Sequence, residues 1–476
     1  MKGCLEPEEA FCRLQGHIRA YYQMYTAVYS GSPRELRMTA RPRSFWKRPS
    51  KQKIHVPIAA DLAATSSDLL FGEEVQITAV DEEENVDEAA QRRLEEIERI
   101  NNLHALLCEA AESCSALGDV FLKVVWDREG ARCPGLRVIQ GDQAYPEYRM
   151  GTLSAIHIFT CLEERPDRVL RTYECYRPGS VDTALYLGGA ESLGTKLGDD
   201  ALAALDLAAH APVEDGLMLA CHVPNIRPNR MFRGSQMGRS DFDNLRDLMD
   251  ALDETYSSWI RDIRLGKARL LVPAEYLRRS GEELFAGAGR TVPTFEFDED
   301  VETLVAMDVD TDRGGNMITP SQFQIRSDDH QKTCRDLIEK IVSGAGYAPQ
   351  TFGIGIEGMA QSGTALRIRE KKSFSTTAKK QEYWQSPLEQ LLGAMLQLDA
   401  LLYPDRGCRR GLHVHVRFPP VIASDMGSMA GALQMLSQAG AVSTNVKVRM
   451  LHPDWTQDQV EEESERIRME AEGSPK

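Results

Sequence analysis

An α+β fold is predicted by three features of this sequence. A long amphipathic helical pattern runs from Asp87 to Leu117, four strand-like runs follow it directly, and a second helical region after Ser240 encloses a small β module. The length of 476 residues suggests roughly three domains and allows a large core. With 42% hydrophobic and 27% charged residues, and 36 Gly and 22 Pro, collagen-like, low-complexity and wholly disordered chains are excluded. A formal charge of −16 argues against a binder that grips nucleic acid by neutralising phosphates. Ten cysteines without a paired CxxC spacing are expected to be reduced, mostly buried thiols. No charged-then-apolar leader opens the chain and no apolar run reaches 18 residues, so a soluble chain, made intracellularly, is expected.

Residues 1–50 are expected to be irregular, with Arg41, Arg43, Lys47, Arg48 and Lys51 around Phe45 and Trp46 forming an arm that packs on a neighbour. From Asp87, the residues Leu94, Ile97, Ile100, Leu103, Leu107, Ala110, Ala111 and Cys114 recur every three or four positions, which predicts one helix ended by Gly118. Val120–Trp126, Leu136–Ile139, Ala155–Leu162 and Val169–Tyr176 are the strand candidates, and Gly188–His210 is a loop or surface insertion. Ser240 with Asp243 resembles an acidic capping box. It would open a helix to Ile263, about 37 Å long, closed by Gly266 and carrying Asp241, Asp243, Asp247, Asp250, Asp253 and Glu254 on its polar face.

Short strands are expected at Arg269–Val272, Thr294–Phe297, Thr303–Met307 and Gln322–Ile325. Ser327 would cap a second helix ending at Gly344, so that, if the two helices are antiparallel, the β module sits at the tip of a stalk. Gly353–Gly363 is predicted to be a flexible loop, followed by a polar helix to Gln385. Ser386-Pro387-Leu388-Glu389 predicts a new or kinked helix with core residues Leu388 to Leu402. Met429–Gln438 and Gln457–Glu472 are the last two expected helices, the latter capped by Thr456.

Catalytic and ligand motifs fail on context. Gly353-Ile-Gly355-Ile-Glu-Gly358 has dinucleotide-loop spacing, but Pro349 precedes it and Lys379-Lys380 stand where the ribose-binding acid belongs. Gly189–Lys196 imitates a phosphate loop with Thr195 and Lys196 in the wrong order. Asp308, Asp310 and Asp312 lack the turn glycine and the final Glu of a calcium loop, and His413 with His415 lack a third metal ligand. No triad or nucleophile elbow is present. One charge feature stands apart: Arg367, Arg369, Lys371, Lys372, Lys379 and Lys380 against Glu370 alone, a local +5 that fits either a solvated helix face or one that meets a polyanion.

These parts come in a specific order. It consists of His55-Val-Pro-Ile-Ala-Ala-Asp61 running into Leu69-Leu-Phe-Gly-Glu73, Ala116-Leu-Gly-Asp119 before a strand, and Tyr145-Pro-Glu-Tyr148. Further on come Ser240-Asp241, Leu252-Asp253-Glu254-Thr-Tyr-Ser-Ser-Trp259, Arg264-Leu-Gly-Lys-Ala-Arg269, Ser362-Gly-Thr-Ala365, Gln438-Ala-Gly-Ala-Val-Ser443 and His452-Pro-Asp454. In this order the chain resembles the portal proteins of tailed bacteriophages, the siphophage-type head-to-tail connectors. The resemblance implies an α/β wing over 1–235, a first stem helix over 236–266, a clip over 267–326 and a second stem helix over 327–346. A tunnel loop over 347–363, wing return helices and strand over 364–424 and a helical crown over 425–476 would complete it.

A dodecameric ring at one capsid vertex of the virion is implied, assembled in the host bacterial cytoplasm, through which double-stranded DNA is packaged and ejected. Its implied partners are the terminase large subunit, then the head-tail adaptor, and the major capsid and scaffold proteins, with no membrane. No enzymatic activity, catalytic residue, cofactor or metal is expected. The tunnel loop near DNA would include Gly353, Gly355, Glu357, Gly358, Met359, Gln361 and Ser362. The basic run from Arg367 to Lys380 would meet DNA or a neighbouring subunit, and Asp243, Asp247, Asp250 and Glu254 would face the channel. The alternatives are another capsid-associated structural or scaffold protein, or a nucleotide-dependent packaging enzyme.

Overall fold

The computed structural model describes residues 4–48, 53–126, 132–214, 216–266, 269–273, 304–307, 319–321, 325–354, 363–406, 411–419, 426–452, 455 and 457–473. The N-terminal region is helical where irregular chain was expected. Helices α1 (Pro7–His17), α2 (Gln23–Ser30) and α3 (Pro33–Thr39) open it, the first two joined by a π-helical turn at Ile18–Tyr22. Their aromatic residues hold them down: Phe11, Tyr21, Tyr22 and Tyr25 are all buried, and a short turn at Phe45–Lys47 buries Trp46. Helix α4 (Ile58–Phe71) leads to strand β1 (Gln76–Val80).

The expected helix from Asp87 to Leu117 is two, α5 (Glu88–Asn101) and α6 (Leu103–Leu117). The apolar rhythm continues across the junction, but Asn102 is left-handed at φ +48, a conformation Asn tolerates better than most residues. Gly118, at φ +95, ends α6 where a Cβ would lie 2.7 Å from the Ser240 nitrogen, so this crossing requires glycine.

Strands β2 (Asp119–Val125), β3 (Gly135–Gln140), β4 (Ala144–Arg149), β5 (Thr152–Glu164), β6 (Val169–Arg177) and β7 (Ser180–Gly188) follow. The stretch expected as a loop holds β8 (Thr195–Lys196) and helix α7 (Asp199–Ala203), before β9 (His210–Pro212) and β10 (Ala220–Pro224). One sheet has the order β10-β2-β3; a second runs β4-β5-β6-β7-β8, with β9 also on β7. All these pairs are antiparallel.

Helix α8 (Arg246–Leu265) starts later than the capping signal suggested. Ser240 is spent on a turn: its Oγ accepts from the Phe242 N–H at 3.0 Å and donates to the Ala116 carbonyl at 2.6 Å. Its 20 residues make the rod about 30 Å long. Strands β11 (Arg269–Pro273), β12 (Leu304–Met307) and β13 (Thr319–Ser321) come next, with β11 central, parallel to β12 and antiparallel to β13. The third strand therefore precedes the expected Gln322–Ile325, and Thr294–Phe297 lies outside the described residues.

Helix α9 (Ser327–Ala345) runs past Gly344 and ends at Gly346, which is left-handed at φ +103. It is antiparallel to α8. A Cβ on Gly344 would come 2.5 Å from Leu245, just before α8, while one on Gly266, just after it, would come 2.7 Å from Ile325.

Helix α10 (Gly363–Leu402) is continuous over 40 residues, with Pro387 inside it, so no new helix begins at Ser386. The buried residues Trp384, Leu388, Leu391, Leu392 and Met395 keep helical spacing across the proline, and this packing outweighs the local start signal. Strand β14 (His413–Arg417) pairs with β1. Helices α11 (Met426–Gln438), α12 (Thr444–Leu451) and α13 (Gln457–Gly473) close the chain, α12 being one more than expected and Thr456 lying outside the described residues. Two apolar cores result. The first joins α5, α6, the β10-β2-β3 sheet and the second half of α10; the other joins α1 to α4, a face of β5 to β7, and α8 with α9.

Candidate functional site

The acidic face of α8 is paired with the chain's own basic arm through exposed contacts. Arg41 donates to both carboxylate oxygens of Asp247 at 2.8 and 2.7 Å, Ser44 donates to Asp250, and Arg48 pairs with Glu254. Beneath these exposed contacts, buried Asp253 accepts from Trp46 Nε1 at 3.0 Å and from the Val56 N–H at 2.8 Å, and sits 2.9 Å from His55 Nδ1. Burial opposes a charge on His55, but the Asp253 carboxylate outweighs it and leaves the imidazole above its ordinary value. Burial raises Asp250, partly offset by the Ser44 hydroxyl. Asp243 is buried beside Tyr25 and 3.6 Å from Arg230. Of the four residues expected to face a channel, Asp243 is inside the fold, and Asp247, Asp250 and Glu254 are engaged by the arm.

The basic run on α10 divides. Arg369, Lys371, Lys372 and Lys379 are exposed, with Lys372 reaching the Ser343 carbonyl, and the Arg367 side chain lies outside the described residues. Lys380 is only 2% exposed and cannot meet DNA, which corrects its expected role. Its Nζ donates to Asp241 Oδ2 at 2.6 Å, Ser66 Oγ at 2.6 Å and the Tyr347 hydroxyl at 2.9 Å. Asp241 also accepts from Ser115, Tyr347 and Asn225 at 2.6, 2.8 and 2.8 Å. This buried junction ties α4, α6, the entry to α8, the exit from α9 and α10 at one point. A signal for it existed: Ser373, Thr377, Lys380 and Trp384 recur at helical spacing and all are buried.

The segment after α9 is pinned at its base. Ser373 Oγ accepts from the Ala348 N–H at 2.8 Å, and Thr376 donates to the Gly346 carbonyl at 2.6 Å. A short turn, Pro349–Phe352, ends at Gly353, left-handed at φ +73. Gly355, Glu357, Gly358, Met359, Gln361 and Ser362 lie outside the described residues.

A second junction was not anticipated. Asp119 accepts from the Gly238 N–H at 2.7 Å and from Tyr22, and lies 2.8 Å from His222 Nε2, whose Nδ1 is 2.8 Å from the Tyr148 hydroxyl. A third pairs Arg93 with Asp399 through two bonds of 2.8 and 2.7 Å. The phosphate-loop look-alike lies in the β7–β8 hairpin, not between a strand and a helix, which removes the geometry that cradles phosphate. His413 and His415 are exposed on one face of β14, with His415 3.9 Å from Glu389. Asp308, Asp310 and Asp312 lie outside the described residues.

Among solved structures the chain is similar to one from the virion of a native gene transfer agent (GTA) particle, at 11% identity and TM-score 0.38, covering 83% of this chain and 89% of that one. It is also similar to a chain of the neck of the empty GTA particle computed with C6 symmetry, at 12% identity and TM-score 0.41, covering 83% and 90%. The corresponding values for the neck of the native particle computed with C12 symmetry are 11%, 0.37, 83% and 89%. No curated protein matches. Residues 46–476, from the buried tryptophan of the arm through α13, match the family model described as Phage portal protein, SPP1 Gp6-like, and the chain belongs to that family of phage portal proteins.

Proposed function

We propose that this portal protein assembles into a dodecameric ring at one capsid vertex and serves as the conduit for double-stranded DNA during packaging and ejection. The α8–α9 pair would form the stem, and the β11–β13 sheet part of the clip that meets the terminase large subunit and afterwards the head-tail adaptor. Major capsid and scaffold proteins would surround the ring. The chain would perform no bond chemistry. The observation that carries this reading is the antiparallel helix pair with a three-stranded sheet between its ends, in a chain of the portal family.

An apolar groove of about 530 Å³ beside the stem supports assembly; it is lined by Tyr256, Trp259, Cys334, Ile338 and Ile354 among others, and a neighbouring copy would cover it. Exposed Arg369, Lys371, Lys372 and Lys379 remain the DNA or intersubunit contacts we assign; Lys380 does not. Electron microscopy of the purified protein tests the proposal: rings with an open axial hole are expected, and compact particles without one would overturn it. Packaged DNA should fall in Lys371→Glu/Lys372→Glu particles that still form rings.

A further inference from the structure

The register of the large sheet brings three chemically apt side chains onto one face. His157 on β5 lies directly opposite Cys175 on β6, and Glu147 on β4 is the diagonal neighbour two residues from Tyr145, the register partner of His157. All three are buried. Cys4, from the segment preceding α1, closes over them: its Sγ is 3.8 Å from Cys175 Sγ, 3.8 Å from His157 Nε2 and 3.2 Å from Glu147 Oε2, and Glu147 Oε2 is 3.5 Å from His157 Nε2. The two sulfurs and the imidazole nitrogen lie within 4.8 Å of one another.

The separations from Cys4, and that between Glu147 and His157, are close to the edges of a zinc tetrahedron, while Glu147 stands outside the three residues that are all within 4.8 Å of one another. With Zn–S of about 2.3 Å and Zn–N or Zn–O of about 2.0 Å, two sulfurs stand about 3.8 Å apart, sulfur and nitrogen about 3.5 Å, and nitrogen and oxygen about 3.3 Å. The surroundings are equally suited. The Tyr173 hydroxyl, 2.9 Å from His157 Nδ1, can accept a proton held there and so leave the Nε2 lone pair facing the cluster. Arg149 Nε binds the other oxygen of Glu147, Oε1, at 3.0 Å, leaving Oε2 turned inward.

We propose that Cys4, His157 and Cys175 form a site for Zn²⁺, its fourth position open to the adjacent Glu147 carboxylate or a water, that clips the start of the chain to the large sheet. On binding, the two thiols release their protons to solvent and the metal takes two thiolates and one neutral imidazole, with the Glu147 carboxylate or a water in the fourth position. Sequence spacing hides the site, because the two cysteines are 171 residues apart.

The test uses the full chain, purified reduced and titrated with Zn²⁺ and, as a spectroscopic probe, Co²⁺. One metal per chain is expected, with the absorption of a tetrahedral cobalt–thiolate centre. Cys4→Ser and the Cys4→Ser/Cys175→Ser pair should lose it while keeping their circular dichroism. Cys4 is only half-buried, so its substitution leaves the sheet intact and the result interpretable. Tyr173→Phe should weaken Zn²⁺ binding by about 10- to 100-fold. A chelator should lower the Tm of the wild type and not that of Cys4→Ser. The proposal is overturned if the reduced wild type takes up no more metal than the double variant, or if Cys4 and Cys175 are found joined as a disulfide that no metal prevents. Ring formation is scored separately, so failure here leaves the portal reading untouched.

Discussion

Truncating Lys380 and truncating Lys371 should give opposite results although both are lysines of α10. Lys380→Met leaves the Asp241 carboxylate buried without its cation and should cost about 3–5 kcal/mol. Lys371→Met, at an exposed position, should stay within about 0.5 kcal/mol. Urea denaturation of the two variants measures the difference, and near-equal midpoints would refute the assignment. Glu98 makes a second residue-scale prediction. Burial and the nearby Glu95 and Glu74 push its carboxyl up to about 7, and its Oε1 has no hydrogen-bond partner. The folded state thus prefers the protonated form, while the unfolded chain ionises near pH 4.5. Stability is therefore lost as pH rises from about 5 through 7, and Glu98→Gln should unfold at higher denaturant than wild type at pH 8, with the gap closing towards pH 5.

At the scale of elements, the arm and α8 form one electrostatic unit that is pH-dependent through His55. Its folded pKa lies above the ordinary value of 6.5, so the attachment it supports is fully present below pH 6.5 and weakens as pH rises through the folded value. Amide exchange at Val56, whose N–H is held by Asp253, should be slower in wild type than in His55→Gln at pH 6, and the two should converge by pH 9. Both halves of this unit were legible in the sequence, as a basic aromatic arm and an acidic helical stripe; their pairing was not, because 206 residues separate Arg41 from Asp247. The β1–β14 pair went unseen for the same reason. At Ser386-Pro387, which announces a new or kinked helix, packing overruled the first alternative: Trp384 and Leu388 lie on one continuous buried stripe and α10 runs through Pro387. Charge counting misplaced Lys380, since composition registers a cation and not the Ser373–Thr377–Trp384 face on which it lies. The motif residues His55, Asp119, Tyr148, Asp241 and Asp253 proved to be members of the buried polar junctions. That is a physical reason for a recognisable order to persist in otherwise weak motifs: each is tied to distant partners, and its replacement would strand a buried polar group.

For the whole molecule, the charge of −16 acquires a different meaning once the acidic stripe of α8 is seen to be matched by its own arm. The surplus then belongs to the rest of the surface, and in a ring of twelve it approaches −190. The proposed ring would repel phosphate on average, as a conduit that passes DNA without gripping it should, and its subunits would also repel one another. Assembly should therefore respond to salt. Raising ionic strength from about 0.01 M to about 0.1 M shortens the screening length from about 30 to about 10 Å. The fraction of chains in rings, measured by sedimentation or mass photometry, should rise over this range. Lys371→Glu/Lys372→Glu changes each chain by −4, from −16 to −20, and should need more salt to reach the same fraction. A ring fraction that falls with salt would show instead that cross-subunit ion pairs hold the assembly, and the exposed basic run of α10 would then belong to the subunit interface and not to DNA.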